Sequence, residues 1–191
     1  MIANVAAVRA IPGRSLDNNR CRHCLSEIET LAHVLGFCQV GETLRNTRHH
    51  KIRSLIAKNL KENGYEVYEE VHGLAKNGST RIIDIICIQN SIGTILDPTI
   101  RFETDQNQPL KTNEEKIIIY EETIQFYKTK YNLKEIEIFG LLIGARGTIP
   151  KFTNNIFKKF KISKTTIEEI IRTSFKYSVY MLRNHIYNTQ N

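Results

Sequence analysis

The spacing of apolar and polar positions changes several times along the chain, and each change marks an element. Residues 43–63 (TLRNTRHHKIRSLIAKNLKEN) place Leu44, Ile52, Leu55, Ile56 and Leu60 mostly on one helical stripe, with Gly64 as a stop. Residues 65–72 alternate as a strand does, and Lys76-Asn77-Gly78-Ser79 has turn composition. Two short β-branched runs follow, RIIDIICIQ and IGTILDPTI, spaced around Asn90, Ser91 and Gly93 as in a hairpin. Thr112-Asn113-Glu114-Glu115 has the form of a capping box and predicts a helix over residues 112–130. Residues 135–144 read as a further strand. Residues 151–188 read as two helical pieces divided near Ser163, the first basic, the second carrying Ile167, Ile170, Ile171, Phe175 and Val179 at core spacing. The predicted order is α-β-β-β-α-β followed by helices, an α/β pattern.

Two acids interrupt the apolar runs, Asp84 in the first and Asp97 in the second. Burying an unpaired carboxylate costs several kcal/mol, so each needs a partner. Aspartates on neighbouring strands also repel unless a cation lies between them, and a hard divalent ion that takes oxygen ligands is the simplest candidate. Lys116 and Tyr120, four apart, are expected on one face near the N-terminal end of the predicted helix. Two carboxylates, a lysine and a tyrosine at one sheet edge have the chemistry of metal-dependent phosphodiester hydrolysis. For Tyr120 the competing role is packing under the sheet.

Residues 17–42 carry a second signal, Cys21, Cys24, His33 and Cys38 in the spacing C-x2-C-x8-H-x4-C. Three sulfurs and an imidazole make a closed tetrahedral zinc site with no open position for substrate. A unit this short needs such a staple to fold. The alternatives are unconnected cysteines or a redox pair at Cys21 and Cys24; His23 is a weaker ligand candidate, and Cys87 reads as an inert buried thiol. Residues 1–16 read as a leader or tether, 17–42 as the zinc unit and 43–191 as the main domain.

Composition sharpens this picture in one respect. Formal net charge is +7 and the pI about 9.2, and the excess is uneven. Residues 138–191 hold nine Lys/Arg against Glu168 and Glu169, whereas 105–137 hold seven Asp/Glu against five Lys. A basic surface on part of a domain is the usual footprint of a polyanion partner. Arg45, Arg48, His49 and Lys51, on the first half of the predicted helix 43–63, are candidates for gripping phosphates; a solvated polar face is the alternative. No apolar run approaches bilayer-spanning length, and no signal-peptide profile opens the chain, which is expected to be intracellular with no membrane partner.

The zinc unit, the Arg48-His49 pair, Asp84, Asp97 and Lys116-x3-Tyr120, in this order, resemble the C-terminal region of site-specific non-LTR retrotransposon proteins that encode a restriction-like endonuclease. The resemblance runs from about Cys21 to the C-terminus. It implies a restriction-endonuclease-like (PD-(D/E)xK) core, a mixed sheet flanked by helices, behind a CCHC zinc knuckle. It further implies that Asp84 and Asp97 hold catalytic Mg²⁺ or Mn²⁺, that Lys116 assists hydrolysis with Tyr120 nearby, and that the zinc is structural. The implied partners are DNA, or RNA, and the reverse transcriptase region of the same polyprotein, working in the nucleus. Two positions depart from the superfamily pattern: Ile83 precedes Asp84 where proline is usual, and Thr99 stands two after Asp97 where lysine is usual. In the retrotransposon branch the lysine moves to the following helix, which Lys116 fits, with Lys111 as competitor. Glu103 shares strand parity with Asp97 and is a candidate third acid. The reading from another class is a zinc-stabilised nucleic-acid-binding domain without catalysis; a third, a zinc-containing protein-interaction module, has only the knuckle to support it.

Overall fold

The computed structural model describes residues 20–187; the leader predicted for residues 1–16 lies outside them. Four strands form one mixed sheet in the order β1 (Glu66–Leu74), β2 (Thr80–Gln89), β3 (Ile92–Arg101) and β4 (Glu135–Gly144). The first three are antiparallel neighbours, and β3 and β4 run parallel. The β2–β3 turn places Asn90 and Ser91 both at positive φ, as a two-residue hairpin turn that matches strand twist requires. The helices are α1 (Leu31–Gly36), α2 (Glu42–Glu62), α3 (Gln108–Glu121), α4 (Ile124–Tyr131), α5 (Lys151–Lys159) and α6 (Lys164–Tyr187).

Helices cover both sheet faces. On one, Ile52, Ile56 and Leu60 of α2 meet Ile85, Leu96, Leu141 and Ile143, with Phe157 of α5 and Ile170 of α6. On the other, Tyr120 and Tyr127 of α3 and α4 meet Ile83, Ile86, Ile95 and Ile138. A third cluster joins Leu31, Val34 and Leu35 of α1 to Tyr177 and Met181 of α6. The Cys/His unit therefore shares a core with α6. Burial of three aliphatic side chains at roughly 1.5–3 kcal/mol each outweighs any exposed ion pair as the cause of this docking.

The helix predicted over 112–130 starts earlier and is broken. Pro109 stands in the first turn of α3, where its missing N–H costs nothing, and the Asp105 carboxylate accepts from the Asn107 N–H just ahead of it. Thr112 is thus inside the helix, its hydroxyl buried and without a partner among the described residues, and Glu115 pairs with Arg101 instead of capping. A turn at Thr123, whose N–H and hydroxyl both bond to the Tyr120 carbonyl, separates α3 from α4.

Side-chain alternation breaks at one place in the sheet. Ile85 and Ile83 would share a face in a regular strand, yet Ile85 packs with α2 and Ile83 with α3 and α4. The partner strand breaks at the same level, with Val67 on the α2 side and Val71 on the other. Pairing runs from Glu69↔Ile85 straight to Val71↔Ile83, and the residue between, Glu70, has φ +52°. Asp84 lies at this break.

Candidate active site and metal centre

The β2–β3 ladder runs from Gln89↔Ile92 to Ile85↔Leu96 and stops, while β3 stays paired to β4 as far as Arg101. Asp84 and Asp97 are the first residues past that end on their two strands. Both line one open pocket of about 390 Å³ together with Arg45, Arg48, His49, Pro98, Lys116 and Tyr120. The structure thus gathers Asp84, Asp97, Lys116 and Tyr120, picked from sequence, at one opening in the sheet.

Asp97 is almost fully buried and heavily partnered. Lys116 Nζ lies 2.9 Å from its Oδ2, the Tyr120 hydroxyl is 2.7 Å from the same oxygen, and Thr99 Oγ1 donates to Oδ1 at 3.1 Å. Thr99 stands two residues after Asp97 on the same strand, and the ammonium arrives from α3. The Tyr120 hydroxyl is also 3.2 Å from the Ile82 carbonyl, which the β2–β3 ladder leaves unused, so its one proton is shared between two acceptors across the opened strands. Burial first, then the neighbouring Asp97 charge, pushes the Tyr120 phenol far above its ordinary range. Tyr120 is a fixed donor and not a base. Lys116 and Tyr120 sit in the C-terminal half of α3, not near its start, because the helix begins at Gln108.

A glycine makes this approach possible. Gly140 of β4 is the register partner of Asp97, and its N–H donates to Asn113 Oδ1 at 3.0 Å. A Cβ there would lie 2.7 Å from the Thr112 carbonyl oxygen and 2.8 Å from Lys116 Cγ. Only a residue without a side chain lets α3 lie this close to the sheet and deliver Lys116 to Asp97. Nothing in the local sequence around Gly140 marks that role.

Asp84 turns the other way, to α2, where His49 Nε2 donates to its Oδ2 at 2.9 Å. The phase break described above is what turns it. His49, expected among phosphate ligands, is therefore bonded to an acid of the pocket. Arg45 Nη1 donates to the Cys38 carbonyl at 2.6 Å. Arg48 is 2% exposed and departs from the expected phosphate grip: Nη1 donates to Ser178 Oγ and Nη2 to the Leu35 carbonyl, and burial lowers its pKa to about 10. Lys51 is exposed, its Nζ 5.2 Å from the Tyr177 ring centroid. Glu103 stands apart from the acid pocket, accepting from Arg146 Nε at 3.0 Å and from Thr148 Oγ1. Lys111 lies inside the first turn of α3, not ahead of it, exposed and 3.9 Å from Asp105.

The donor set suits a hard divalent ion. The pocket offers two carboxylates from adjacent strands: among the described residues only one oxygen of Asp84 is held, by His49, and Asp97 Oδ1, which accepts a single hydrogen bond from Thr99, keeps a second lone pair for a ligand contact.

The Cys/His unit presents a closed set of four. The ligand atoms of Cys21, Cys24, His33 and Cys38 all lie within 4.8 Å of one another. Cys21 Sγ and Cys38 Sγ are 3.8 Å apart, close to the edge of about 3.8 Å that a tetrahedron with Zn–S bonds of about 2.3 Å requires. Thr30 caps α1 through the His33 N–H and so fixes where the imidazole stands. The Ser26 hydroxyl bonds to Cys24 Sγ and holds that thiol down to about 6, while burial pushes Cys38 up to about 11. These residues fit zinc, which would deprotonate both. His23 is outside the set; its Nε2 bonds to the His185 carbonyl at 2.7 Å.

Behind the four cysteine and histidine side chains lies a buried network the sequence did not suggest. Glu29, fully buried, takes a two-pronged bond from Arg22 and another from His185 Nε2 at 3.2 Å. Burial alone would raise its carboxyl, but Arg22 and His185 hold it down to about 2. Cys21, Glu29 and His185 tie the Cys/His unit to the end of α6.

No family model matches the chain. Among solved structures it is similar to a protein of unknown function, with TM-score 0.35 and 11% identity over 72% of this chain and 98% of that one. It is also similar to the small subunit of the heterodimeric restriction endonuclease R.BspD6I, with TM-score 0.31 and 16% identity over 82% and 98%. In sequence it is 24% identical, over 163 residues and 84% of its length, to the retrovirus-related Pol polyprotein of the type-1 retrotransposable element R2 from Popillia japonica. The chain spans about a third (34%) of the length of that relative.

Proposed function

We propose that this chain is a metal-dependent DNA endonuclease domain of a retrotransposon-type protein, with a restriction-endonuclease-like core, that nicks target DNA in the nucleus to prime reverse transcription. The observation that carries the reading is the meeting of Asp84, Asp97, Lys116 and Tyr120 in one pocket where β2 and β3 part. Similarity to a retrotransposon Pol polyprotein along most of the chain supports it, as does the uneven basic charge.

In this reading Asp84 and Asp97 hold Mg²⁺ or Mn²⁺, which when bound supplies Lewis-acid polarisation and a water of lowered pKa. Lys116 offsets negative charge developing on the phosphate, close to Asp97 and within the same pocket. Tyr120 keeps its proton and fixes Asp97 by donating to it. His49 holds Asp84 toward the pocket. The zinc at Cys21, Cys24, His33 and Cys38 is structural, and Arg45 links that unit to the pocket through the Cys38 carbonyl.

One observation favours a second reading. Asp97 already has three partners and Asp84 one, so both acids are stable as plain structural pairs; a nucleic-acid-binding domain without catalysis would look the same. Supercoiled plasmid incubated with the zinc-loaded chain and Mg²⁺ or Mn²⁺ separates the two. Nicking that EDTA abolishes and Asp97→Asn reduces by about 100-fold or more supports the endonuclease. Salt-sensitive binding with no nicking supports the binding domain.

A further inference from the structure

The crevice between α2 and α6 takes no part in the acid pocket, although α2 borders both. It comprises two adjoining hollows of about 510 and 420 Å³ that share Tyr177. Lys51 and Lys58 of α2 and Arg172, Lys176 and Arg183 of α6 line it, all exposed. Among the described residues, Glu169 is the only acid that lines either hollow. Among the described residues, the sole ion pair these five cations make is a 3.9 Å contact between Lys58 and Glu62. Five cations with so little local compensation mark a site for an extended anion.

The crevice also carries an aromatic surface. Tyr180 is 39% exposed, its ring set edge-on to Tyr177 with centroids 5.8 Å apart, and Lys176 Nζ lies 5.6 Å from its centroid. A base stacked on this ring would bring its phosphate near the ammonium. Arg172 and Lys176 stand four residues apart on α6, about 6 Å along the axis, which suits consecutive phosphates of an extended strand.

We infer that the α2/α6 crevice binds an unpaired polynucleotide strand, with phosphates on Lys51, Arg172, Lys176 and Arg183 and a base stacked on Tyr180. Helices packed at about 8–10 Å leave a crevice too narrow for a duplex, whereas cations interleaved with an aromatic ring are what a single strand needs. The inference rests on the nucleic-acid reading above and adds a second track. Because His49 lies in the acid pocket and His50 in the crevice, the two open on adjacent residues of α2.

The test is fluorescence anisotropy on the zinc-loaded chain with a labelled single-stranded oligonucleotide and with its duplex. Tyr180→Ala should weaken single-strand binding by about 5- to 150-fold and leave duplex binding unchanged, with Tyr180→Phe restoring it. Arg172→Glu combined with Lys176→Glu should weaken it more than tenfold and reduce the log–log salt slope by about 1.4. These residues are exposed, so zinc content and circular dichroism should match the parent chain. Single-strand binding indifferent to all three variants overturns the crevice while leaving the duplex reading intact. Binding to neither nucleic acid overturns both. Competition by polyglutamate equal to that by the oligonucleotide, with no effect of Tyr180→Ala, also overturns it and assigns the crevice to acidic peptides.

Discussion

At the scale of single residues, the acid pocket is a set of committed hydrogen bonds, and removing one partner leaves another stranded. Tyr120→Phe takes the shared proton from both Asp97 and the Ile82 carbonyl; Asp97 keeps Lys116 and Thr99, so the loss is that of a hydrogen bond to a charged group, about 1.5–3 kcal/mol; urea denaturation should show that loss, with nicking reduced alongside. The phenols make a pH prediction as well. Burial raises Tyr120 far above its ordinary value and Tyr127 to about 12, while the unfolded chain ionises near pH 10. The folded state keeps these protons and the unfolded state releases them, so this contribution is complete below about pH 10 and falls as pH rises toward 12. Urea midpoints at pH 9 and pH 11 should differ in that direction, and phenolate absorbance should lag behind that of the unfolded chain. The pocket's acids, lysine and tyrosine were legible in sequence because a carboxylate inside an apolar run has to be paid for. The bonds of His49 to Asp84 and of His185 to Glu29 were not, since histidines on helices give no sign of which strand or loop they will face.

At the scale of elements, strands were easier to read than helix ends. The hairpin, the strand Glu135–Gly144 and the division near Ser163 follow directly from alternation and turn residues. The start of α3 was misread because Thr112 and Glu115 imitate a capping box, while Pro109, three residues earlier, is the stronger signal. The break of alternation at Glu70 and Asp84 was hidden for a different reason: β2 is apolar on both faces, so a change of phase leaves no mark in its pattern. Close contact between α3 and β4 depends on Gly140. In Gly140→Ala the new methyl would press on the helix backbone at Thr112, which cannot rotate away. Stability should fall by about 1–3 kcal/mol, and nicking should fall further than stability explains as Lys116 leaves Asp97. Comparing the thermal midpoint with residual nicking at a temperature where the variant is folded checks this.

At the scale of the whole molecule, the Cys/His unit and α6 are one structure. The shared cluster of α1 and α6, the Arg22–Glu29–His185 network and the bonds of Arg45 and Arg48 all span the join. Sequence spacing revealed the four ligands but not this docking, because it arises from residues at opposite ends of the described chain. Chelation of the zinc-loaded chain should therefore release one metal ion and lower the thermal midpoint by roughly 10 °C, as about 3 kcal/mol would in a chain of this size. Amide exchange should quicken over residues 177–187 as well as near the ligands; exchange confined to the ligand loops would show the two parts to be independent. Among the described residues, no helix is long and apolar enough to cross a membrane.

The end of the β2–β3 ladder at Ile85↔Leu96 has a bearing on inheritance. Both acids stand beyond the last paired residues of those two strands, so the sheet does not depend on their charge for its hydrogen bonds. A descendant in which Asp84 drifts to an amide of the same shape would keep its architecture, because the amide oxygen can still accept from His49, and in the endonuclease reading it would lose its blade; at Asp97 the same change would leave Lys116 without its counter-charge. Selection for a stable fold would not oppose the step at Asp84, and in that reading cutting and holding can part company there by one substitution.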